Sequence, residues 1–327
     1  MIVESRFKPA AWLKNPHAQT LWAALARRQP QLPLRRERIE LPDGDFVDID
    51  WRIEDDRNRH GPIVVILHGL TGSIESKYAR GLMNALADHG CRSLVMNFRG
   101  QSGEPNRLPR AYHSGDTGDV NYLMSLLRER EPHTQLAIVG YSLGGNVTLK
   151  WLGEQGHAAP VVTGVAVSTP FDLSICAKAI RQGWSRNYQN KLLREMHSTL
   201  RHKLDGQADA NFEIPDLAEL TDFFSYDDAI TAPLHGFRDV EHYYTEASSI
   251  GYLRDIRVPT LALHALDDPF MSPEVVPRED QLSDTVTIEL SEHGGHVGFI
   301  AANRIASPVY WLEQRIPEHL AQAFSQA

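Results

Sequence analysis

The feature that most constrains the fold is a junction. Gln135 to Gly140 reads as a short buried strand, and Gly140-Tyr141-Ser142-Leu143-Gly144 turns it directly into a helical pattern carrying Val147, Leu149 and Leu152. A chain that leaves a strand and enters a helix within two residues crowds its own backbone, so glycines are needed on either side of the turn. Such a turn lifts the Ser142 hydroxyl clear of the sheet. It also aims the Leu143 N–H at the place where negative charge would develop on a carbonyl oxygen attacked by that hydroxyl.

The surrounding pattern agrees with the junction. From about Gly61 onward, apolar runs alternate with helical spacing. Strands are predicted at Pro62 to Leu67, Cys91 to Phe98, Val161 to Val167, Pro259 to Ala265 and Thr285 to Leu290. Helices are predicted at Ser76 to Gly90 and at Asp116 to Glu131. This alternation predicts an α/β architecture with a mostly parallel central sheet flanked by helices. Upstream, Arg38 to Leu41 and Phe46 to Trp51 flank Asp43-Gly44, as in an antiparallel hairpin.

Residues 171–255 break the rhythm. They are rich in basic and aromatic residues, with Ile180, Trp184, Tyr188, Leu192 and Met196 at helical spacing. They are expected to form a helical cap inserted within a single domain spanning 1–327, over the edge of the sheet where ligands bind.

A serine hydroxyl at neutral pH needs a base, and in this architecture the order is serine, acid, histidine. Asp267-Asp268-Pro269 follows one predicted strand, and His293-Gly294-Gly295-His296 follows the next. His296 is the expected base and Asp268 its carboxylate partner, with Ser142 the nucleophile. Asp268 is preferred to Asp267 because Pro269 holds it extended, Asp267 being left to brace the loop. His296 is preferred to His293 because it follows the glycine pair. His68-Gly69-Leu70-Thr71-Gly72 ends the first parallel strand, and the Leu70 N–H is expected to join that of Leu143 as the second oxyanion donor.

Other chemistries fit less well. The 327 residues carry a net charge of −9, the wrong sign for a general phosphate-backbone binder, so no nucleic-acid partner is expected. His264, Asp267, Asp268, His293 and His296 invite a metal, but no HExxH or close His-x-His pair supports one. The glycines at 69, 72, 100 and 103 do not form a dinucleotide fingerprint. No cofactor is therefore expected. Asp116 and Asp119 are read as serving a helix start, and Cys91 and Cys176 as two buried thiols in a reducing compartment. No apolar run approaches the length of a bilayer span, so a cytoplasmic location is expected, with peripheral membrane contact left open.

The combination of segments resembles one family. Asn15 to Leu21 (NPHAQTL), His68 to Ser73 (HGLTGS), Asn97 to Gly100 (NFRG), Gly140 to Asn146 (GYSLGGN) and His293 to Phe299 (HGGHVGF) carry the match, with Asp227, Gly236-Phe237, Tyr244, Ser248, Ile256, Pro259 and Asp267-Asp268. Together they resemble the bacterial YheT-like α/β-hydrolases and their eukaryotic lung-type abhydrolase-domain relatives, over nearly the whole chain. His242 departs from that pattern, where an acidic residue or Thr is expected. The resemblance implies an α/β-hydrolase fold and a Ser-Asp-His esterase acting on a small-molecule ester or lipid-like acyl substrate. Some relatives imply the alternative of an acyltransferase, in which an alcohol replaces water. A third reading, a non-catalytic ligand-binding protein on the same scaffold, leaves the ordered triad residues without a purpose.

Overall fold

A computed structural model describes residues 1–54, 58–204, 215–302 and 307–327. The nine strands of the main sheet are β1 (Ile2–Glu4), β2 (Leu34–Glu40), β3 (Phe46–Arg52), β4 (Ile63–Leu67), β5 (Arg92–Met96), β6 (Leu136–Tyr141), β7 (Thr163–Val167), β8 (Thr260–Ala265) and β9 (Val286–Ser291). They lie in the order β1-β9-β8-β7-β6-β4-β5-β3-β2. Strand β3 pairs antiparallel with both β2 and β5, and every other pairing is parallel.

The central strands β4, β6, β7 and β8 are buried along their whole length, which explains why each reads as a continuous apolar run rather than an alternation. The β2–β3 edge is fixed differently. Arg36 lies opposite Asp50 and Arg38 opposite Asp48, and each arginine grips its aspartate through two nitrogens at 2.8–3.0 Å. A one-residue slip would break both pairs, so charge sets the register where the apolar pattern is weak.

Four of the helices are α1 (Pro16–Leu21), α2 (Lys77–Asp88), α3 (Gly118–Arg130) and α4 (Leu143–Gln155). Five more follow β7 and precede β8: α5 (Leu173–Ala179), α6 (Arg186–Leu204), α7 (Phe223–Tyr226), α8 (Ala232–Leu234) and α9 (Val240–Ala247). Helix α10 (Leu312–Gln326) ends the chain's secondary structure. Alternate strand residues separate two apolar layers. Val64 and Ile66 pack with Leu82, Met83 and Leu86 of α2 and Ile316 and Leu320 of α10. Ile63, Val65 and Leu67 pack with Leu123, Met124 and Leu127 of α3 and Val147 and Trp151 of α4. Helices therefore cover both faces, which leaves the carboxyl ends of the strands as the natural place for a site.

Three expectations are corrected. The spacing Ile180-Trp184-Tyr188-Leu192-Met196 does not belong to one helix: α5 ends at Ala179, Gly183 adopts φ +53°, and α6 begins only at Arg186. A left-handed glycine breaks the helix although the apolar period continues through it. Cys176 is only partly buried, unlike Cys91. Asp116 and Asp119 do more than start a helix. Asp119 receives two bonds from buried Arg99, at 2.7 and 2.6 Å, and Asp116 receives one from Arg110 at 2.7 Å. Residues 205–214 of the 171–255 insertion lie outside the described residues.

Candidate active site

Ser142 sits between β6 and α4 with φ +53° and ψ −118°, a conformation that costs a non-glycine residue on the order of 1–3 kcal/mol. Its N–H donates to Val167 O at 2.8 Å, which ties the turn to the neighbouring strand β7. The flanking glycines are required by space. A Cβ on Gly140 would stand 2.1 Å from Gly144 O, and one on Gly144 would stand 2.6 Å from both His68 O and Leu67 O.

Three side chains from three strand ends meet here. Asp268 follows β8, and its Oδ2 lies 2.8 Å from His296 Nδ1. His296 follows β9, and its Nε2 lies 2.9 Å from Ser142 Oγ. Asp268 is 3% exposed and His296 9%, so the pair is shielded from bulk water without being sealed from a ligand. The carboxylate accepts Nδ1–H, which leaves the Nε2 lone pair for the serine hydroxyl to donate to. Asp268 Oδ1 accepts from Phe270 N at 2.9 Å, and the Phe270 ring stacks on the imidazole with centroids 3.9 Å apart. The His296 backbone N–H donates to Thr20 Oγ1 at 2.9 Å, so the N-terminal segment braces the histidine loop.

Asp267 and His293 stand apart from that chain. His293 Nδ1 is 3.1 Å from Asp267 Oδ2, and Gly295 N donates to Asp267 Oδ1 at 3.0 Å. The five groups that invited a metal are thus divided between two separate pairs, apart from His264. That residue is 1% exposed, and burial pushes its imidazole down to about 4.

The loop after β4 is held by its neighbours. Gly69 N donates to the Tyr78 hydroxyl at 2.8 Å, and Thr71 N donates to the Tyr112 hydroxyl at 3.0 Å. Among the described residues the Leu70 N–H between them finds no acceptor. Leu143 is the first residue of α4, so its N–H lacks an intrahelical acceptor as well. Behind the loop, His68 Nε2 accepts from Phe98 N at 3.1 Å, so Nδ1 must carry the proton it gives to Gly69 O at 2.7 Å. Burial pushes His68 down to about 4, which keeps it neutral and in that tautomer. Thr20 lies in the NPHAQTL segment, but its role, like those of Tyr78, Tyr112 and Phe270, is set by a contact that only the folded chain creates.

A cavity of about 710 Å³ opens over Ser142, Leu143, Leu70 and His296. Its wall is largely apolar, including Leu173 and Ile180 near α5, Leu192 and Met196 of α6, and Phe270 and Met271 after β8. Glu195, Lys191, Tyr188, Tyr112, His113 and Asp227 are among its polar lining residues. His242, the departure noted in the sequence, is not part of this wall.

The sequence profile of the alpha/beta hydrolase fold family matches residues 62–302. "Putative esterase YheT" of Escherichia coli is 41% identical over 97% of this chain and 93% of its own length. Phospholipase ABHD3 of Homo sapiens is 25% identical over 91% of this chain and 75% of its own. Monoacylglycerol lipase of Saccharomyces cerevisiae is 31% identical over 73% of this chain and 55% of its own. Among solved structures, the Pyrococcus furiosus esterase Pf2001 superposes with a TM-score of 0.57 at 15% identity, covering 99% of both chains. A parallel sheet ending in a strained serine turn, with YheT similarity over nearly its full length, means that the chain belongs to the YheT-like branch of the alpha/beta hydrolase fold family.

Proposed function

We propose that this enzyme, a carboxylic ester hydrolase by its family and relatives, cleaves esters of apolar acyl groups through an acyl-serine intermediate. The observation that carries the reading is the hydrogen-bonded series Asp268–His296–Ser142, at 2.8 and 2.9 Å, opening into a largely apolar cavity. Ser142 Oγ attacks the ester carbonyl while His296 takes its proton, and Asp268 stabilises the imidazolium that forms. The Leu70 and Leu143 N–H groups receive the oxyanion. His296 then returns the proton to the leaving alcohol, and water repeats the sequence to release the acid.

The 171–255 insertion is read as a cap, since α5 and α6 supply much of the wall facing Ser142. An apolar wall of this size favours an acyl chain over a small polar acid, and relatives named phospholipase and monoacylglycerol lipase support a lipid-like ester. Among the described residues no helix is long and apolar enough to cross a membrane.

The test is a panel of p-nitrophenyl esters of graded chain length, run beside Ser142→Ala. The variant is expected to lose ~10⁴–10⁶ in turnover and all labelling by a fluorophosphonate probe. Wild-type activity in that variant, or a labelled residue other than Ser142, overturns the assignment.

A further inference from the structure

Helix α6 touches both halves of the candidate machinery from one face. Tyr188 is 8% exposed, and its ring packs on Phe270 with centroids 4.8 Å apart; Phe270 in turn stacks on the His296 imidazole at 3.9 Å. Two turns along the same helix, Glu195 Oε2 accepts from the Thr71 hydroxyl at 2.6 Å. Thr71 adopts φ +57°, a strained position for a β-branched residue, immediately after the Leu70 N–H assigned to the oxyanion. Between these two attachments, Leu192 and Met196 of the same helix face the cavity. Lys191 Nζ pairs with the other carboxylate oxygen, Glu195 Oε1, at 2.7 Å.

We propose that α6 couples acyl-chain occupancy of the cavity to the aim of the oxyanion loop, with Glu195 the positioning residue that transmits it through Thr71. This rests on the acyl-serine reading above. An acyl chain long enough to reach Leu192 and Met196 presses α6 into its seat. That contact holds the Glu195–Thr71 bond and the Tyr188–Phe270 packing together. Binding energy gained far from the carbonyl is then expressed at the carbonyl, so chain length raises kcat rather than only lowering KM. A short acyl group fills the oxyanion site without touching α6 and gains nothing from the coupling.

The experiment compares acetyl and octanoyl p-nitrophenyl esters on wild type, Glu195→Ala, Glu195→Gln and Thr71→Val, with the thermal midpoint of each recorded. Glu195→Ala is expected to lower kcat for the octanoyl ester about tenfold to hundredfold, short of the ~10²–10³ lost with a whole oxyanion donor. Its kcat for the acetyl ester is expected to fall at least about fivefold less than its kcat for the octanoyl ester, and the octanoyl KM to change less than the octanoyl kcat. Glu195→Gln keeps a carbonyl acceptor for the Thr71 hydroxyl and is expected to recover most of the octanoyl kcat. Thr71→Val is expected to repeat the Glu195→Ala pattern, and the double variant to add little to either single change. Equal losses on both esters, a loss confined to KM, or no recovery by Glu195→Gln at an unchanged thermal midpoint each overturn the coupling. Failure of the acyl-serine reading shows separately, as activity surviving Ser142→Ala.

Discussion

Asp268→Asn and Asp267→Asn are nearly isosteric changes at adjacent positions, yet the structure assigns them opposite consequences. Asp268 Oδ1 already accepts from Phe270 N at 2.9 Å, and that bond orients any amide placed there. An asparagine would keep its carbonyl oxygen on Phe270 N–H and turn its NH₂ toward His296 Nδ1, where Oδ2 now sits at 2.8 Å. Two donors cannot face each other, so the imidazole would shift its proton to Nε2. The Nε2–H would then point at Ser142 Oγ, 2.9 Å away, where a lone pair is needed. Losing the base tautomer in this way costs about 10⁴ in kcat, or ~5.5 kcal/mol of transition-state stabilisation. Asp267 accepts from Gly295 N and lies against His293, neither of which faces the serine. Asp267→Asn retains one acceptor and is expected to keep kcat within about tenfold, with a stability cost near 1 kcal/mol. Steady-state hydrolysis of p-nitrophenyl butyrate, with urea unfolding of each variant, measures both quantities. If Asp267→Asn falls a thousandfold while Asp268→Asn stays within tenfold, the tautomer argument is wrong.

Gly140→Ala and Gly144→Ala each drive a Cβ into backbone rather than a movable side chain, at 2.1 and 2.6 Å. Each is expected to cost about 3 kcal/mol or more and to abolish activity with Ser142 intact, as urea unfolding and turnover would show. Ser168→Ala removes the acceptor of the Val297 N–H, a buried bond of 3.0 Å next to His296. It is expected to lose about 1–3 kcal/mol of stability and a larger share of kcat than of KM, whereas unchanged kcat would show that the His296 loop needs no such anchor. His264, held down to about 4 by burial, stays neutral in the folded chain while its unfolded counterpart protonates near 6.5. The folded state therefore has this contribution in full above pH 6.5 and loses it as pH falls toward 4. His264→Leu should flatten that limb of the stability curve by about 1.4 kcal/mol per pH unit, and an unchanged slope in urea titrations would contradict the buried neutral ring.

The central strands were legible because burial on both faces leaves an unbroken apolar run, and their observed ends fall within two residues of those expected. The serine turn was legible because steric demand there leaves so little choice of residue. Strand β1 was not, since three residues carry no period, and it exists because Ile2 to Glu4 find open hydrogen-bonding groups along β9. The break between α5 and α6 was hidden because apolar spacing is indifferent to a left-handed glycine. Tyr78 and Tyr112 were hidden for another reason. Their roles depend on hydroxyls meeting Gly69 N and Thr71 N across the fold, and nothing in a tyrosine's sequence neighbours specifies such a partner.

The strained residues show what the rest of the fold is for. Among the described residues six non-glycines adopt positive φ; Ala302 stands apart, and the other five, Thr71, Ser142, Ser168, Val297 and Phe299, lie on or beside loops that follow strands at the carboxyl edge. Each such conformation is unfavourable by roughly 1–3 kcal/mol and persists only where its surroundings over-determine it. Here that over-determination is visible bond by bond. Ser142 N is held by Val167 O, Ser168 N by Leu263 O, Val297 N by Ser168 Oγ and Phe299 N by Gly294 O. Because β6, β7 and β8 are buried along their whole length, the acceptors Val167 and Leu263 cannot relax toward the strained loops. The serine turn and the His296 loop held by these bonds are consequently in place before any substrate arrives, and little reorganisation of them is left to oppose the proposed reaction. On the proposed mechanism, the parallel sheet therefore contributes to catalysis through the rigidity with which it holds these loops.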